Sequence, residues 1–369
     1  MKLVIAGVSV RAFTESAVAA GYTVTAIDAY GDLDLRAVAD VTVVPAPYTA
    51  DAAARLAVAA AGDAVCYTSN FENHPAAVSL LGRLMGNGPA VLARVRDPLE
   101  VARGLATRGI VVPAVRASAP RVGSADAARR WMKKPRASGG GHGVAPWRRG
   151  EPMPRHAVLQ ERVAGLPASV LFAAHGGRAA VLGVTRQLIG DRAFGATGYR
   201  YCGNLLVAAP PPPAALRLAD AVAAEFGLVG VNGVDCIARP GALVPIEINP
   251  RYTSAMELVE RRDGVSIAET HVRACRGALP SLDHVGRGAA YGKAIVYARR
   301  SVMVGDTRAW VNDPSVRDIP QPGQRIPRGS PICSVFATGR TEAECYRQLV
   351  RRAERVYHAV EVGKGRAAA

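Results

Sequence analysis

The sequence predicts an α/β fold with an α+β centre, and three observations predict it. The first hundred residues alternate short apolar runs with alanine-rich stretches, the pattern of an open, mostly parallel sheet. From residue 131 onward, strand patterns separated by glycine and proline turns take over. At 369 residues the chain is too long for one simple core and suits two or three domains.

In order, Lys2–Ala6 reads as a strand, Ala12–Ala20 as a helix, and Thr23–Asp28 and Val41–Val44 as strands. Ala50–Ala61 is helical, and Ala64–Thr68 is a strand that ends at Ser69-Asn70-Phe71-Glu72. Ligands of parallel sheets gather at the carboxyl ends of the strands, here Gly7–Arg11, Asp28 and Ser69–Asn73. Gly7 and Asp28 alone make a weak dinucleotide signal, because the second and third glycines of that fingerprint are missing. Pro98–Arg108 is a helix and Val111–Ala114 is extended. Beyond the run Pro210–Pro213, Ala214–Phe226 is a helix, and two strands flank Arg239-Pro240-Gly241. Helices follow at Ala255–Arg262 and Ile267–Arg276, then a strand-rich stretch over 289–338, a closing helix at Ala343–Val360 and a frayed tail. No internal repeat is present.

Composition removes several function classes. No apolar run reaches the eighteen or so residues a membrane helix needs, and the N-terminus reads as a first strand rather than a leader. A cytoplasmic protein with no membrane partner is expected. The six cysteines lie far apart and the seven histidines lack an H-x-x-x-H pair, so neither disulfides nor zinc are expected. The net charge of +16 comes without a dense basic run and with only 5% aromatics. A polyphosphate substrate and a solvated surface account for it, and nucleic acid is not expected. Only five of the 46 basic residues are lysine (2, 133, 134, 293 and 364), so each lysine is informative.

The most informative stretch is Gly233–Ala238, the turn Arg239-Pro240-Gly241, and Ala242–Asn249. Folded as an antiparallel hairpin, one face collects Val234, Cys236, Ala238, Val244, Ile246 and Ile248, and the other Asp235, Glu247 and Asn249. Pairing 238 with 244 and 236 with 246 sets Asp235 opposite Glu247. Like charges opposed in a sheet are destabilising, so something should compensate them. Two carboxylates and an amide oxygen suit Mg²⁺, which completes its octahedron with phosphates and water. A solvated polar strand face is the plainer alternative. Arg251, two residues after Asn249, adds a phosphate-seeking guanidinium.

The complementary half is Lys133-Lys134 followed by Ser138-Gly139-Gly140-Gly141-His142-Gly143. Such a glycine loop lets backbone N–H groups approach an anion, and the lysine adds a point charge. The lysine precedes the glycines, so this is not a Walker-type loop. Gln160-Glu161-Arg162-Val163 then offers backbone groups at a strand end.

Together and in this order, these elements resemble the carboxylate–amine ligases of the ATP-grasp superfamily, by motif over residues 95–275. The resemblance implies an N-terminal parallel-sheet domain (1–95) and a central two-lobed nucleotide-binding module (96–285) whose lid lobe covers about 115–160. A small strand-rich C-terminal domain (286–362) and a flexible tail (363–369) complete it. It implies ATP and Mg²⁺ as cofactors. Lys134, Ser138, Gly139, Gly140, Gly141 and Gly143 fall on the ATP lysine and phosphate lid, and Gln160, Glu161, Arg162 and Val163 on the adenine hinge. Asp235, Glu247 and Asn249 fall on the metal ligands and Arg251 on the phosphate-contacting arginine, with Arg186 a second catalytic cation. The branch that looks nearest comprises the ATP-grasp proteins of methylotrophs linked to methanopterin and methylofuran synthesis, themselves similar to tyramine–glutamate ligase. Within it, Ser69, Asn70, Glu72, Arg200, Tyr201 and Asn204 look like substrate-pocket residues. The implied reaction joins a carboxylate, glutamate by this resemblance, to an amine through an acylphosphate. The implied partners are small-molecule acids and amines, with a homodimer allowed. Two departures stand out: Ala168 replaces an acidic ribose ligand, and Asp97-Pro98-Leu99-Glu100 replaces an Asp-Lys helix start. A biotin-carboxylase-like carboxylating enzyme and a non-catalytic nucleotide-binding protein remain the alternatives.

Overall fold

The structure, a computed structural model, describes residues 1–119, 129–153, 155–207, 209–281 and 288–366. The N-terminal unit runs β1 (Lys2–Ala6), α1 (Arg11–Ala19), β2 (Thr23–Asp28), α2 (Leu33–Arg36), β3 (Asp40–Val43), α3 (Ala50–Ala59) and β4 (Ala64–Tyr67). Its four strands lie parallel in the order β3-β2-β1-β4, as the strand–helix alternation demands. Three helices follow: α4 (Pro75–Leu80), α5 (Pro89–Val95) and α6 (Pro98–Thr107). Each opens on a proline, whose fixed φ and missing N–H cost nothing in a first turn.

A second unit is a small antiparallel sheet of β5 (Val115–Arg116), β6 (Trp131–Pro135), β7 (Ala145–Trp147) and β8 (Ala157–Glu161), in the order β5-β8-β6-β7. It has its own core of Trp131, Trp147 and Leu159. Residues 120–128 and 154 of this expected lid lobe lie outside the described residues.

The remaining strands build an eight-stranded sheet. They are β9 (Leu166–His175), β10 (Arg178–Ile189), β11 (Tyr201–Val207), β12 (Gly230–Arg239), β13 (Ala242–Asn249), β14 (Ala290–Tyr297), β16 (Val316–Arg317) and β18 (Pro331–Gly339). Their order is β13-β12-β9-β10-β11-β14-β18-β16, with β15 (Val302–Met303) and β17 (Arg325–Ile326) paired separately. Between them run α7 (Pro213–Phe226), α8 (Met256–Asp263) and α9 (Ile267–Cys275), and α10 (Glu342–Arg366) closes the chain. Helix α7 buries Ala215, Leu218, Ala219, Val222, Ala223 and Phe226, a stripe of helical period, against Val170, Phe172, Val234 and Ile248 of the sheet.

The structure bears on three expectations. The strands after residue 288 extend the same sheet as the centre, and the expected boundary at 285/286 falls outside the described residues. Helix α10 continues six residues past Val360, and 367–369 of the expected tail lie outside the described residues. The hairpin register is split. Asp235 does face Glu247 and Val234 faces Ile248, but Cys236 pairs with Pro245 and Ala238 with Leu243. A β-bulge leaves Ile246 out of the ladder, so the apolar face is not the unbroken alternation the sequence suggests.

One side chain ties the parts together. Arg11 is fully buried at the start of α1. Its guanidinium meets Glu257 of α8 at 2.6 Å, Glu15 at 2.8 Å, Asp318 of the C-terminal segment at 2.9 Å and Asp34 at 3.6 Å. Lys293 of β14 reaches Glu257 at 2.8 Å. Burial opposes the charge on Glu257, yet Arg11 and Lys293 hold its carboxyl far below the usual range.

Candidate active site

The facing pair Asp235 and Glu247 sits where the edge hairpin β12–β13 meets the small sheet of β5–β8. Lys134 of β6 reaches across to place Nζ 3.1 Å from Glu247 Oε2 and 2.8 Å from the Ile246 carbonyl oxygen. Gln160 of β8 donates to the same carbonyl at 3.3 Å. The bulge explains this: Ile246, unpaired in the ladder, offers its oxygen to β6 and β8 of the small sheet.

Arg96, just before α6, donates to Glu247 at 2.7 Å, to the Ser138 carbonyl at 2.6 Å, to the Ile248 carbonyl at 3.2 Å and to Asn73 at 3.0 Å. The two carboxylates therefore differ. Burial opposes the charge on Glu247, but Lys134 and Arg96 outweigh it and hold its carboxyl at about 2. Among the described residues Asp235 has only neutral donors: Gln187 Nε2 at 2.9 Å, Asn249 Nδ2 at 3.1 Å and the Ser169 side chain. Burial, then the facing charge of Glu247, pushes it up to about 6. That is a carboxylate short of a cation. The hard oxygen donors and this deficit fit a divalent ion such as magnesium. Asn249 presents its nitrogen to Asp235 and its oxygen to Arg251, 3.3 Å away, and rotation about the Cβ–Cγ bond exchanges the two.

The glycine loop lies over this centre. The Gly140 carbonyl accepts the Tyr201 N–H at 3.1 Å, and Gly141 packs so tightly that an added Cβ would lie 1.9 Å from the Tyr199 oxygen. Gly140, Gly141 and Gly143 all have positive φ, at 62°, 79° and 72°. The Gly139 carbonyl accepts the His142 N–H, closing the loop's own turn.

Beside the carboxylates is a narrow slot. Val95, Pro98, Val101, Ala102, Val112, Pro113, Val115 and Ile248 form its apolar walls, and Lys134, Gln160 and Glu247 its polar rim. Glu161 lines an adjoining groove and ion-pairs with Arg129 at 2.6 Å. Arg162 is exposed, with its backbone N–H donating to Arg130, and Val163 is half-buried beyond the lining. Ala168 is buried in the core against α7.

On the other side, Arg251 donates to Glu72 at 2.6 Å, which brings the segment after β4 into the centre. Asn70 accepts from Asn73, the residue Arg96 holds, and the Ser69 carbonyl accepts the Val8 N–H. Tyr201 donates to Asn204, and Asn204 donates to Thr185 at 2.8 Å on the face that carries Gln187. Arg200 binds the Gly329 carbonyl and lies over the Tyr297 ring.

Arg186 is not brought here. It is exposed and pairs with Glu342 at the start of α10, because strand alternation sends it to the opposite face from Gln187. Gln187 and Arg96 are the residues that sequence reasoning missed. Asp28 is spent on structure, accepting the backbone N–H groups of Val10, Tyr30 and Gly31.

Residues 95–255 match the family model of an ATP-grasp domain. Sequence comparison with curated proteins gives no match. The structure is similar to Rhizobium etli pyruvate carboxylase, with TM-score 0.73 and 16% identity over 95% of this chain. This chain spans only 37% of that much longer one. It is similar to L-amino acid ligase from Bacillus licheniformis, with TM-score 0.67 and 13% identity over 96% of both chains. It is also similar to the biotin carboxylase domain of Hydrogenobacter thermophilus 2-oxoglutarate carboxylase, a dimer solved with MgADP and bicarbonate. There the TM-score is 0.63 and the identity 16%, over 92% of this chain and 86% of that one. At these identities the likeness is one of fold. The chain thus has the ATP-grasp fold, and residues 95–255 carry the match to its defining domain.

Proposed function

We propose that this protein is an ATP- and magnesium-dependent ligase that joins a carboxylate to an amine. In this reading the domains are 1–95, 96–285 and 286–362, and the enzyme works in the cytoplasm. No described helix is long and apolar enough to cross a membrane. Glutamate is the proposed acid, and the proposed setting is synthesis of a methylofuran- or methanopterin-type cofactor, both resting on the branch resemblance. The observation that carries the reading is the pair Asp235–Glu247, with Lys134 and Arg96 within 3.1 Å of Glu247 and an apolar slot alongside.

Asp235, Glu247 and Asn249 would hold the magnesium, whose charge neutralises phosphate oxygens. The slot takes the adenine, with Gln160 and Glu161 at its edge. Lys134, Arg96 and the loop Ser138–Gly143 turn from Glu247 toward the β- and γ-phosphates and keep water out. An oxygen of the acid then bonds to the γ-phosphorus as the β–γ bridging bond breaks, and ADP leaves with the electron pair. Arg251 faces the oxygens that gain charge. The amine nitrogen attacks the acyl carbon, phosphate departs with the electrons of the C–O bond, and the amine proton is lost to solvent. Catalysis here is positioning and charge placement, as in phosphoryl transfer generally.

The test is a screen of acid–amine pairs for ADP release, with mass detection of the amide. ADP release that needs both partners supports the ligase. Release that needs bicarbonate and no amine would replace it with a carboxylating enzyme.

A further inference from the structure

The sequence has no dense basic run, but the fold makes one. Residues 115–163, the small sheet and its turns, hold eleven basic residues and three acidic ones, a net +8 that is half the charge of the whole chain. In an antiparallel sheet the start of one strand lies beside the ends of its neighbours. Arg129 and Arg130 lead into β6, Arg148 and Arg149 follow β7, and Arg162 follows β8. The register sets Trp131 beside both Trp147 and Glu161, so these five arginines share one rim. All five are exposed, and the side chains of Arg130, Arg148, Arg149 and Arg162 enter no ion pair among the described residues. The one described acid at this rim, Glu161, is half-buried against Arg129.

This charge lies away from the reaction. The glycine loop leaves the other end of β6, and the strand Trp131–Pro135 puts about 13 Å between the two. Phosphates held by Lys134 and that loop leave the rim arginines unused. The rim runs instead into the groove between α6 and β5 that Arg129 and Glu161 line, an open space of about 350 Å³. Leu99, Ala102, Val112 and Val115 give the groove aliphatic walls, and Arg103 and Arg116 add to its charge.

We propose that the rim and groove dock an acidic segment of another protein, an extended stretch in which Asp and Glu alternate with apolar residues. Arginine forks pair with carboxylates through two parallel hydrogen bonds, and the aliphatic walls take the apolar side chains between them. Adjacent strands lie about 4.8 Å apart, so the ends of β8, β6 and β7 spread the charge over about 10 Å, more than one small anion covers. The walls favour a peptide over nucleic acid. Unpaired bases stack on exposed aromatic rings, whereas the two tryptophans of this sheet are buried in its core, 5% and 9% exposed. A second copy of the chain brings the same net charge of +16 and is repelled. This docking goes beyond the ligase reading and does not depend on it, because the cations that reach Glu247 are Lys134 and Arg96.

Fluorescence anisotropy tests this with the full chain in about 0.15 M salt, where long-range attraction is screened. The probes are labelled peptides of about twelve residues, long enough when extended to cross the rim and the groove. One alternates Glu with Val and Leu, and the other is Glu alone. DNA and RNA of similar length, single- and double-stranded, and vesicles containing phosphatidylserine are the comparators. The expected result is that the mixed peptide binds at least about tenfold tighter than oligoglutamate and than every comparator. The double variant Arg148→Glu, Arg149→Glu, on an exposed turn, should weaken the mixed peptide about tenfold or more. Its binding of Mg²⁺ with β,γ-imido-ATP should stay within about twofold of the wild type, which shows that the fold is kept. Leu99→Ser should bring the mixed peptide to within about threefold of oligoglutamate without weakening the latter. No binding of the mixed peptide, equal binding of the two peptides, or affinity unchanged by the double variant overturns the proposal. Nucleic acid or vesicles bound as tightly as the mixed peptide also overturn it.

Discussion

Asp235 and Glu247 face each other across one rung of β12–β13, and their environments divide the labour. Glu247 is held ionised by Lys134 and Arg96, whereas the described donors to Asp235 are all neutral, two amides and the Ser169 side chain. Asp235→Asn and Glu247→Gln should each lower ADP release at least about a hundredfold while circular dichroism stays unchanged, since each removes charge where charge must be placed. Arg96→Met removes the fork that joins Glu247 to the Ser138 carbonyl, and the KM for ATP should rise about tenfold or more. The sequence made the opposed pair legible because side-chain direction alternates along a strand. It did not disclose Arg96 or Gln187, whose relevance depends on which strands become neighbours. Nor did chemical type show the face of Arg186, which strand alternation sets.

Among the elements, the glycine loop and the bulge do the positioning. The loop reaches the Tyr199–Tyr201 turn only because Gly141 has φ 79° and no side chain. Gly141→Ala should therefore cut kcat/KM on the order of a hundredfold through misplacement of the loop, with little change in Tm. The sequence announces the loop by composition, but composition says nothing of the Tyr199 carbonyl that makes Gly141 obligatory. The bulge at Ile246 was invisible for a similar reason, since a single looped-out residue between paired halves leaves no mark on hydrophobic period. Helix α8 adds an element-scale pH effect. Burial pushes Glu260 up to about 7, against hydrogen bonds from Ser16 and the Ile267 N–H. A raised carboxyl means that the folded state binds the extra proton. Stability should fall as pH rises from about 4.5 to about 7, and Glu260→Gln should flatten that slope in thermal melts.

At the scale of the whole molecule, Arg11 joins what the sequence reading had divided. The strand–helix alternation of the first hundred residues and the strand-rich remainder were both readable from pattern. The buried contacts of Arg11 with Glu257 and Asp318 were not, because they link positions some 250 to 300 residues apart. Arg11→Met should destabilise the protein by about 3–5 kcal/mol, seen as a lower denaturant midpoint, because several buried carboxylates lose their partner at once. The small sheet over the site stands apart from this network and has its own core of Trp131, Trp147 and Leu159. Two of the chain's three tryptophans thus ride on that one element. The protein carries a built-in optical probe, and stopped-flow emission after mixing with nucleotide would report any movement of that sheet without an attached dye.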